Sequence, residues 1–542
     1  MTTSRHMKHL STDVLIIGSG GAGLQAAIEA ASHNVQVLLV TKNKAGQANC
    51  TAAAMGSLRI SQGAKESEHH FQETLEAGRF LNNTRLVRTL ATNAWSAVQK
   101  LDTLGVPLRI ERGKASILAE RPAGPLMTKT LTDCALHLGV TILEKTTVFS
   151  LPVEEGQCRG ALALKKDTGE LFVISSKATV LATGGYSQLY TRNDNPSPIT
   201  GDGIVLAYNA GANLQDLEFI QFQPTFIDKG VPQRPILDWL IEATKQLVPG
   251  GPLINNKGER FLSSYNLMQS PILRDNLIVA IEREILAEQQ QKDSVICNLT
   301  SLSPEDIEDA FDLEFQKSAA RPFLRLLSTR PLHIASSAHY TMGGVSIDET
   351  CSTTIEGLYA AGEVTGGVHG ANRLGGNALT EILVFGAIAG QNAAHHAHQV
   401  KSSRIDEGQI KRAKAYLQDL SCDNPHPVTP SSLKKEVRAI VSHYCRPVRI
   451  GDELVRAQEA LFHIQKEKAP GLSASTPAHL TAAIEAKGML LLAQLLVSAS
   501  LARRESRGAH FRIDYPHSDD NWLKNIILTQ KDNKVKISYT TL

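Results

Sequence analysis

Apolar positions fall into two rhythms along this chain. Near the amino end, Val14-Leu15-Ile16-Ile17 is an unbroken apolar run, followed by Gly18-Ser19-Gly20-Gly21-Ala22-Gly23 and then the alanine-rich Leu24 to Ala30. The pattern predicts strand, tight turn and helix over Asp13 to Ala31, since a buried strand tolerates a continuous apolar run and glycines permit the bend. Val35 to Val40 predicts a second buried strand. From Ser67 to Leu104 the rhythm lengthens, with Leu86, Leu90, Ala94 and Val98 recurring every four residues as on one helical face. Strand-like runs follow at Thr141 to Leu143, Val148 to Leu151, Gly160 to Leu164 and Leu171 to Ile174, with Lys165 to Glu170 as a hairpin turn around Gly169. They predict an inserted β-meander. Ala178 to Leu181 is a further buried strand leading to Gly184-Gly185, and Thr200-Gly201-Asp202-Gly203 opens a helix that Asp202 is expected to cap.

Beyond His398 the pattern turns helical. Ser402 to Gly408 is a polar linker, Gln409 to Leu420 and Leu433 to His443 are amphipathic, and a Pro/Ser-rich break at Pro425 to Ser432 parts them. Thr476 to Arg503 continues the helical pattern, with Met489 to Leu492 and Leu495-Leu496 facing a core. The apolar stretch Met489 to Val497 reads as too short to cross a bilayer, so no direct membrane insertion is expected. With 542 residues and 42% hydrophobic content the chain should divide into roughly two to four domains. A net charge of +2 gives no reason to expect nucleic acid as a partner. The seven cysteines form no CxxC pair, which argues against a metal centre or cluster in this chain and for a reduced, cytoplasmic setting. Met1 to Thr12 carries no secretory signal pattern.

Candidate chemistry begins at the first turn. Glycines at 18, 20, 21 and 23 let backbone approach a pyrophosphate, and the N-terminus of the following helix supplies free N–H groups and a positive dipole end. After the second strand, where an acidic residue would bind ribose hydroxyls, stand Thr41 and Lys42, which weakens NAD as the ligand and leaves FAD. Gln47 to Ser57, containing Cys50, Thr51 and Ala52, is small and polar and suits either a loop pressed on a flat cofactor or a plain surface loop. Thr183 and Gly184 again allow close backbone approach.

The first turn, Ala182 to Gly185, Thr200 to Gly203, His339-Tyr340-Thr341-Met342-Gly343-Gly344, Gly357 to Glu363, His369-Gly370-Ala371-Asn372-Arg373-Leu374-Gly375-Gly376-Asn377-Ala378-Leu379 and Arg507 to His510, taken in that order, resemble the flavoprotein subunit of the succinate dehydrogenase and fumarate reductase family. L-aspartate oxidase and soluble fumarate reductases belong to the same family. The resemblance implies an α/β fold with four parts and a tail. A Rossmann-like FAD-binding domain in two pieces (10–222 and 343–398) would hold an inserted α+β capping domain (223–342), followed by a C-terminal helical subdomain (405–510) and a segment 511–542. It implies that Arg274 passes a proton to or from the substrate carbon, that His339 and Arg373 hold a substrate carboxylate, and that Glu363 and the backbone of Asn377, Ala378 and Leu379 contact flavin. Gln223-Pro224-Thr225 stands where the family has His-Pro-Thr, so Gln223 and Thr225 are the expected substrate-side donors, while Ile241 replaces a threonine donor. Cys50 stands where family members with covalently attached flavin carry the linking histidine, so histidyl attachment is not expected; a cysteinyl thioether is conceivable chemistry, and a small buried cysteine beside non-covalent FAD is the preferred reading. Lys245 and Glu242 are expected to lead protons to Arg274.

The implied function is interconversion of a dicarboxylate and its unsaturated form, resembling succinate and fumarate, with electrons passing to a separate iron–sulfur subunit. The alternatives are an amino-acid oxidase resembling L-aspartate oxidase, a reductase of another unsaturated acid, and a non-catalytic flavoprotein. The setting would be cytoplasmic or peripheral to the inner face of the membrane through partner subunits.

Overall fold

The computed structural model describes residues 7–541 apart from 112, 121, 230, 232–236, 288–292, 312–313, 422–423, 425–426 and 533. Cys422, and parts of the amino end, the Phe226 to Leu240 segment and the Pro425 to Ser432 break, thus lie outside the described residues. Strand β1 (Met7–Ile17), helix α1 (Gly21–Ser32), β2 (Val37–Val40) and β3 (Thr141–Leu143) form a parallel layer in the order β3-β2-β1. Strands β6 (Leu171–Leu181), β5 (Gly160–Lys165) and β4 (Thr146–Ser150) extend it, β6 lying parallel to β1 while β5 runs antiparallel to both of its neighbours, β6 and β4.

Several expectations change here. β1 begins at Met7, ahead of the apolar run, and β6 is one strand where two were expected. The reason is register: polar Ser11 and Thr12 lie beside Ser175 and Ser176, so the ladder continues through positions that sequence patterning reads as a gap. Thr141–Leu143 joins the parallel layer beside β2 instead of the meander. The region 67–104 is two helices, Gly63–Ala77 and Thr84–Thr103, parted where Arg79 and Phe80 take φ of +56° and +59°. Asp202 is the first residue of its helix, with Gly201 (φ +81°) in the cap position, and its carboxylate accepts from Thr200 Oγ1 at 2.7 Å and pairs with Lys42 at 2.6 Å.

The inserted part has its own sheet and its own core. β7 (Ile220–Phe226) leads into helix α2 (Leu237–Thr244) and then α3 (Arg274–Ala287), and the sheet runs β7, β9 (Leu332–Thr341), β8 (Val295–Cys297), Leu253–Ile254, all antiparallel. Leu240, Ile241, Ile281, Val295 and Ile334 are fully buried in that separate apolar cluster. The chain then returns as β10 (Leu358–Ala360), parallel to β6, and helix α4 (Asn377–Gln399), which packs on α1.

Helices α5 (Pro430–Tyr444), α6 (Gly451–His463) and α7 (Pro477–Ala502) pack together, and α7 crosses the helix Asp202–Asn209. α7 has 26 residues, longer than its apolar centre suggested, and by length and composition it is the one helix among the described residues that could span a bilayer. Here 61% of its apolar window is buried in the protein, which explains an apolar composition on every side. Strands β11 (Lys524–Lys531) and β12 (Lys534–Thr541) form a hairpin, and β11 pairs with Leu214–Gln215, tying the carboxyl end back to the first part of the chain.

Candidate active site

One cavity of about 540 Å³ runs from the β1–α1 turn to the seam with the inserted part. Gly18, Gly20, Gly21, Thr41, Lys42, Cys50, Thr51, Thr183, Gly184, Asp202, Glu363 and Leu379 of the expected cofactor residues line it. Gly18 has φ +113°, and a Cβ there would lie 2.2 Å from the carbonyl oxygen of Ala182. Gly23 does not line the cavity; a Cβ on it would lie 2.0 Å from the Gly18 carbonyl oxygen, so its bareness lets α1 close onto the turn. At Gly20 a Cβ would meet no protein atom nearer than 3.9 Å, so the space it leaves belongs to the cavity.

Ala52 lies outside the lining, whereas its neighbours Thr51 and Ala53 contribute to it. The Asn377 side chain also turns away: its Oδ1 lies 2.8 Å from His70 Nε2 and its Nδ2 donates to Thr74 Oγ1 at 3.0 Å. What α4 offers the cavity is its first turn, through Gly376, Ala378 and Leu379, with no side chain capping its N-terminus.

These features fit a flavin dinucleotide. The α4 N-terminus meets the cavity with no capping side chain, and so does the α1 N-terminus apart from the Gly21 N–H, which donates to Thr51 Oγ1 at 3.0 Å, and the buried Thr183 Oγ1 has no partner among the described residues. Lys42 is engaged by Pro198 O, Thr200 Oγ1, Asp202 and Glu485. Burial lowers its pKa but the two carboxylates outweigh that and raise it, so it stays charged. Glu363 accepts the Thr341 N–H at 3.1 Å, and burial pushes its carboxyl up to about 7. Cys50 Sγ donates to Asn195 Oδ1 at 2.7 Å, and burial with the nearby Glu363 and Asp194 charges raises the thiol well above its ordinary range.

At the far end of the cavity Arg274, His339 and Arg373 come together from α3, β9 and the loop before α4. Burial and the Arg274 charge bring Arg373 down to about 10, and its guanidinium lies 4.5 Å from the Tyr340 ring centroid. Burial lowers the pKa of His339; Arg274 and Arg373 lower it further, and Asp194 opposes them. Asp194 is a residue that sequence patterning did not single out. Its Oδ2 lies 2.9 Å from His339 Nδ1 and accepts from Gln223 Nε2 at 2.5 Å. Gln223 and Thr225 are fully buried and outside the lining: Gln223 is spent on Asp194, and Thr225 donates to Ala335 O and Ser337 Oγ.

Arg274 is gripped differently from expectation. Its Nε donates to Asp238 Oδ2 at 3.1 Å and its Nη2 to the same oxygen, while Nη1 donates to Gln221 Oε1 at 3.0 Å. Gln221 in turn donates to Asn372 Oδ1 and to the Arg373 carbonyl. Lys245 and Glu242 do pair, at 2.9 Å, but no bond between Glu242 and Arg274 is present among the described residues. Glu242 accepts the Ile272 N–H, and Lys245, itself fully buried, donates to Gln269 O, so the pair fixes the turn that leads into Arg274. Burial raises the Glu242 pKa, but these bonds outweigh it and hold the carboxyl below its ordinary value. Sequence spacing held clues to both missed partners: Gln221 is two residues before Gln223 on a strand, and Asp238 is one helical turn before Glu242.

The FAD binding domain model matches residues 13–379 and the fumarate reductase flavoprotein C-terminal model matches 434–542. An uncharacterized FAD-dependent oxidoreductase of Methanocaldococcus jannaschii is 35% identical over 96% of this chain and 97% of its own. A CoM/CoB fumarate reductase polypeptide of Methanothermobacter marburgensis is 32% identical over 96% and 97%. The FrdA chain of E. coli quinol fumarate reductase superposes with a TM-score of 0.88 at 27% identity, covering 99% of this chain and 97% of that one.

Proposed function

This chain is an FAD-dependent oxidoreductase of the succinate dehydrogenase and fumarate reductase flavoprotein family, and from that premise we propose that it interconverts an unsaturated carboxylic acid, fumarate in the first instance, and its saturated form. The observation that carries this is the meeting of Arg274, Arg373 and His339 at one end of the cavity whose other end is the glycine turn.

Bound FAD supplies two-electron hydride transfer at N5. The chain's own residues do the rest. Gly18, Gly20, Gly21 and the α1 N-terminus would hold the pyrophosphate, with Gly23 letting α1 close in; Thr41, Lys42 and Asp202 would serve the ribose side; and Thr51, Thr183, Gly184, Glu363 and Leu379, all in the lining, would frame the ring system. Cys50, a neutral donor to Asn195, leaves FAD non-covalent. Arg373 grips a substrate carboxylate and draws electron density from the double bond, with His339 beside it. Arg274 protonates the carbon adjacent to the one that receives hydride. An arginine suits that task because the carbon becomes strongly basic as hydride arrives. Gln223 and Thr225 act indirectly, Gln223 by holding Asp194 and Asp194 by orienting His339.

A second reading is favoured by Asp194 itself. A carboxylate in the lining gives a substrate ammonium a partner, which suits oxidation of an amino acid such as L-aspartate. In either reaction we propose a separate iron–sulfur protein as electron partner, with the chain in the cytoplasm or held at the inner face of the membrane by partner subunits.

The test is anaerobic. Chemically reduced holoprotein is mixed with fumarate, oxaloacetate, crotonate or cinnamate, and oxidised holoprotein with succinate or L-aspartate, while the flavin absorbance is followed. Rapid reoxidation by fumarate supports the dicarboxylate reading, bleaching by L-aspartate the second, and reoxidation by crotonate or cinnamate alone moves the substrate to another enoate. A flavin inert to all six overturns the proposal.

A further inference from the structure

Arg373 is buried in the cavity wall, yet its side chain donates to no protein acceptor among the described residues, and its Nε is buried without a partner. Arg274, by contrast, is gripped by Asp238 and Gln221. A buried guanidinium with no bonds of its own must be aimed by something else. Two side chains that face each other in the β7–β9 ladder do this. Gln221 and Tyr340 are cross-strand partners. Gln221 Nε2 donates to the Arg373 carbonyl at 3.0 Å and fixes its backbone. The Tyr340 ring lies against the guanidinium, its centroid 4.5 Å from the central carbon, and burial makes such a cation–π contact stronger than one at the surface.

The ring is itself anchored. Tyr340 Oη donates to Glu381 Oε2 at 2.9 Å, and His369 Nε2 lies 3.2 Å from the phenol oxygen and 3.5 Å from the same carboxylate oxygen. The phenol gives its single hydrogen to Glu381, so its oxygen is left to accept from the His369 Nε2–H. His369 also packs edge-on against the ring, with centroids 5.4 Å apart. All three side chains are buried, and Glu381 and His369 lie outside the cavity lining. Glu381, near the start of α4, thus places a negative charge behind the ring without touching the guanidinium. A carboxylate in direct contact would occupy the donors that a substrate carboxylate needs. One behind the ring supports the cation and leaves those donors open. Burial and Arg274 lower the Arg373 pKa, and Tyr340, Glu363 and Glu381 oppose them. Glu363, itself pushed up to about 7 by burial, is only partly ionised near neutral pH.

We propose that Tyr340, His369 and Glu381 are the positioning residues for Arg373: the Tyr340 ring holds the guanidinium aimed into the cavity, and Glu381, with His369, holds the ring and supplies a counter-charge from behind it. The inference rests on Arg373 gripping the substrate carboxylate. Aim and charge then come from separable parts of one buried cluster. Removing the ring frees the guanidinium to turn away, whereas removing only the Glu381 charge leaves the geometry and weakens the cation. The affinity for the acid is set in part by Glu381 and His369, two side chains that do not reach the cavity.

The test titrates oxidised holoproteins with whichever of fumarate, crotonate and cinnamate reoxidises the reduced wild type fastest, and takes Kd from the flavin difference spectrum. Oxidised flavin has no electrons to give the acid, so binding is read without turnover. Tyr340→Leu should raise Kd by about fivefold to thirtyfold. Tyr340→Phe, which keeps the ring, should recover most of that loss, with flavin content at the wild-type level in both. Arg373→Met should weaken binding most, and in that background Tyr340→Leu and Glu381→Gln should add nothing, because both act through the guanidinium. Across pH, the Arg373 charge and its grip are lost as pH rises through about 10. Glu381→Gln, which still accepts the phenol hydrogen, should move that alkaline limb to lower pH, with Arg274, His339, Tyr340 and Glu363 still facing the guanidinium. Should Tyr340→Leu purify without flavin, Glu381→Gln and Tyr340→Phe carry the comparison. Wild-type Kd in Tyr340→Leu beside a weakened Arg373→Met overturns the positioning role alone, as do equal losses from Tyr340→Leu with and without Arg373, the mark of a merely structural ring. An unmoved alkaline limb in Glu381→Gln overturns the counter-charge. Wild-type Kd in Arg373→Met overturns the carboxylate grip itself.

Discussion

Single side chains in this cavity take their chemistry from burial more than from their own type. Glu363 is the clearest case. Its carboxyl, at about 7 when folded against an ordinary 4.5, binds its proton more tightly folded than unfolded. The associated stability is complete below about pH 4.5 and is lost as pH rises through about 7. At about 1.4 kcal/mol per unit the difference is at most about 3 kcal/mol. Glu363→Gln should therefore flatten the fall in melting temperature across that window. It should not abolish it, because burial raises Asp216 to about 7 as well. An unchanged slope would mean that Glu363 is compensated in the folded protein. Cys50 gives the second test at this scale. With its thiol kept neutral by burial and bonded to Asn195, acid precipitation should release all the flavin into the supernatant, and Cys50→Ala should bind as much flavin as wild type; yellow colour left in the pellet would contradict this.

At the scale of elements, the β1–α1 turn is fixed by two glycines with different duties, Gly18 for its φ of +113° and Gly23 for the close approach of helix to turn. Gly18→Ala combines a left-handed backbone with a clash against the Ala182 carbonyl, a cost on the order of 3 kcal/mol. The ratio of flavin to protein absorbance in purified material should fall sharply, whereas a ratio near wild type would show that the turn can shift. The same elements show where sequence was readable. The apolar runs of β1 and β2 and the glycine turn were legible because continuous burial and positive φ each demand particular residue types. The joining of Leu171–Ile174 to Ala178–Leu181 was not, because only the neighbouring strand makes its polar middle acceptable.

Across the whole molecule, a buried charge cluster joins parts of the chain remote in sequence. Arg503 is fully buried and donates to Glu218 at 2.6 Å and Glu505 at 3.1 Å, with Asp216 at 3.4 Å, and its Nη2 also donates to the Lys524 carbonyl at the start of β11. Arg503→Ala leaves those carboxylates buried without their cation, which should cost on the order of 3–5 kcal/mol, read as a lower denaturant midpoint. An unchanged midpoint would mean that the carboxylates take up protons or water at little cost. The seam across the cavity is crossed by another such pair, Arg79 with Asp275 at 2.6 Å, next in sequence to Arg274. The inserted part has its own core, but Met55 of the first part joins that core and Ile278 and Ala338 of the inserted part join the main one, so apolar packing crosses the seam beside this polar pair.

What the sequence determined by itself was the dinucleotide turn and the α/β order of elements, because motif spacing and apolar rhythm are local properties of the chain; the set Arg274, His339 and Arg373 came from the family resemblance instead. Only the tertiary structure decided who partners whom. Asp194 faces His339 across 145 positions, Asp238 faces Arg274 across 36, and Gln223 is drawn off the cavity by Asp194. A buried polar side chain must find a partner wherever the fold brings one near, and no spacing rule along the chain encodes that choice.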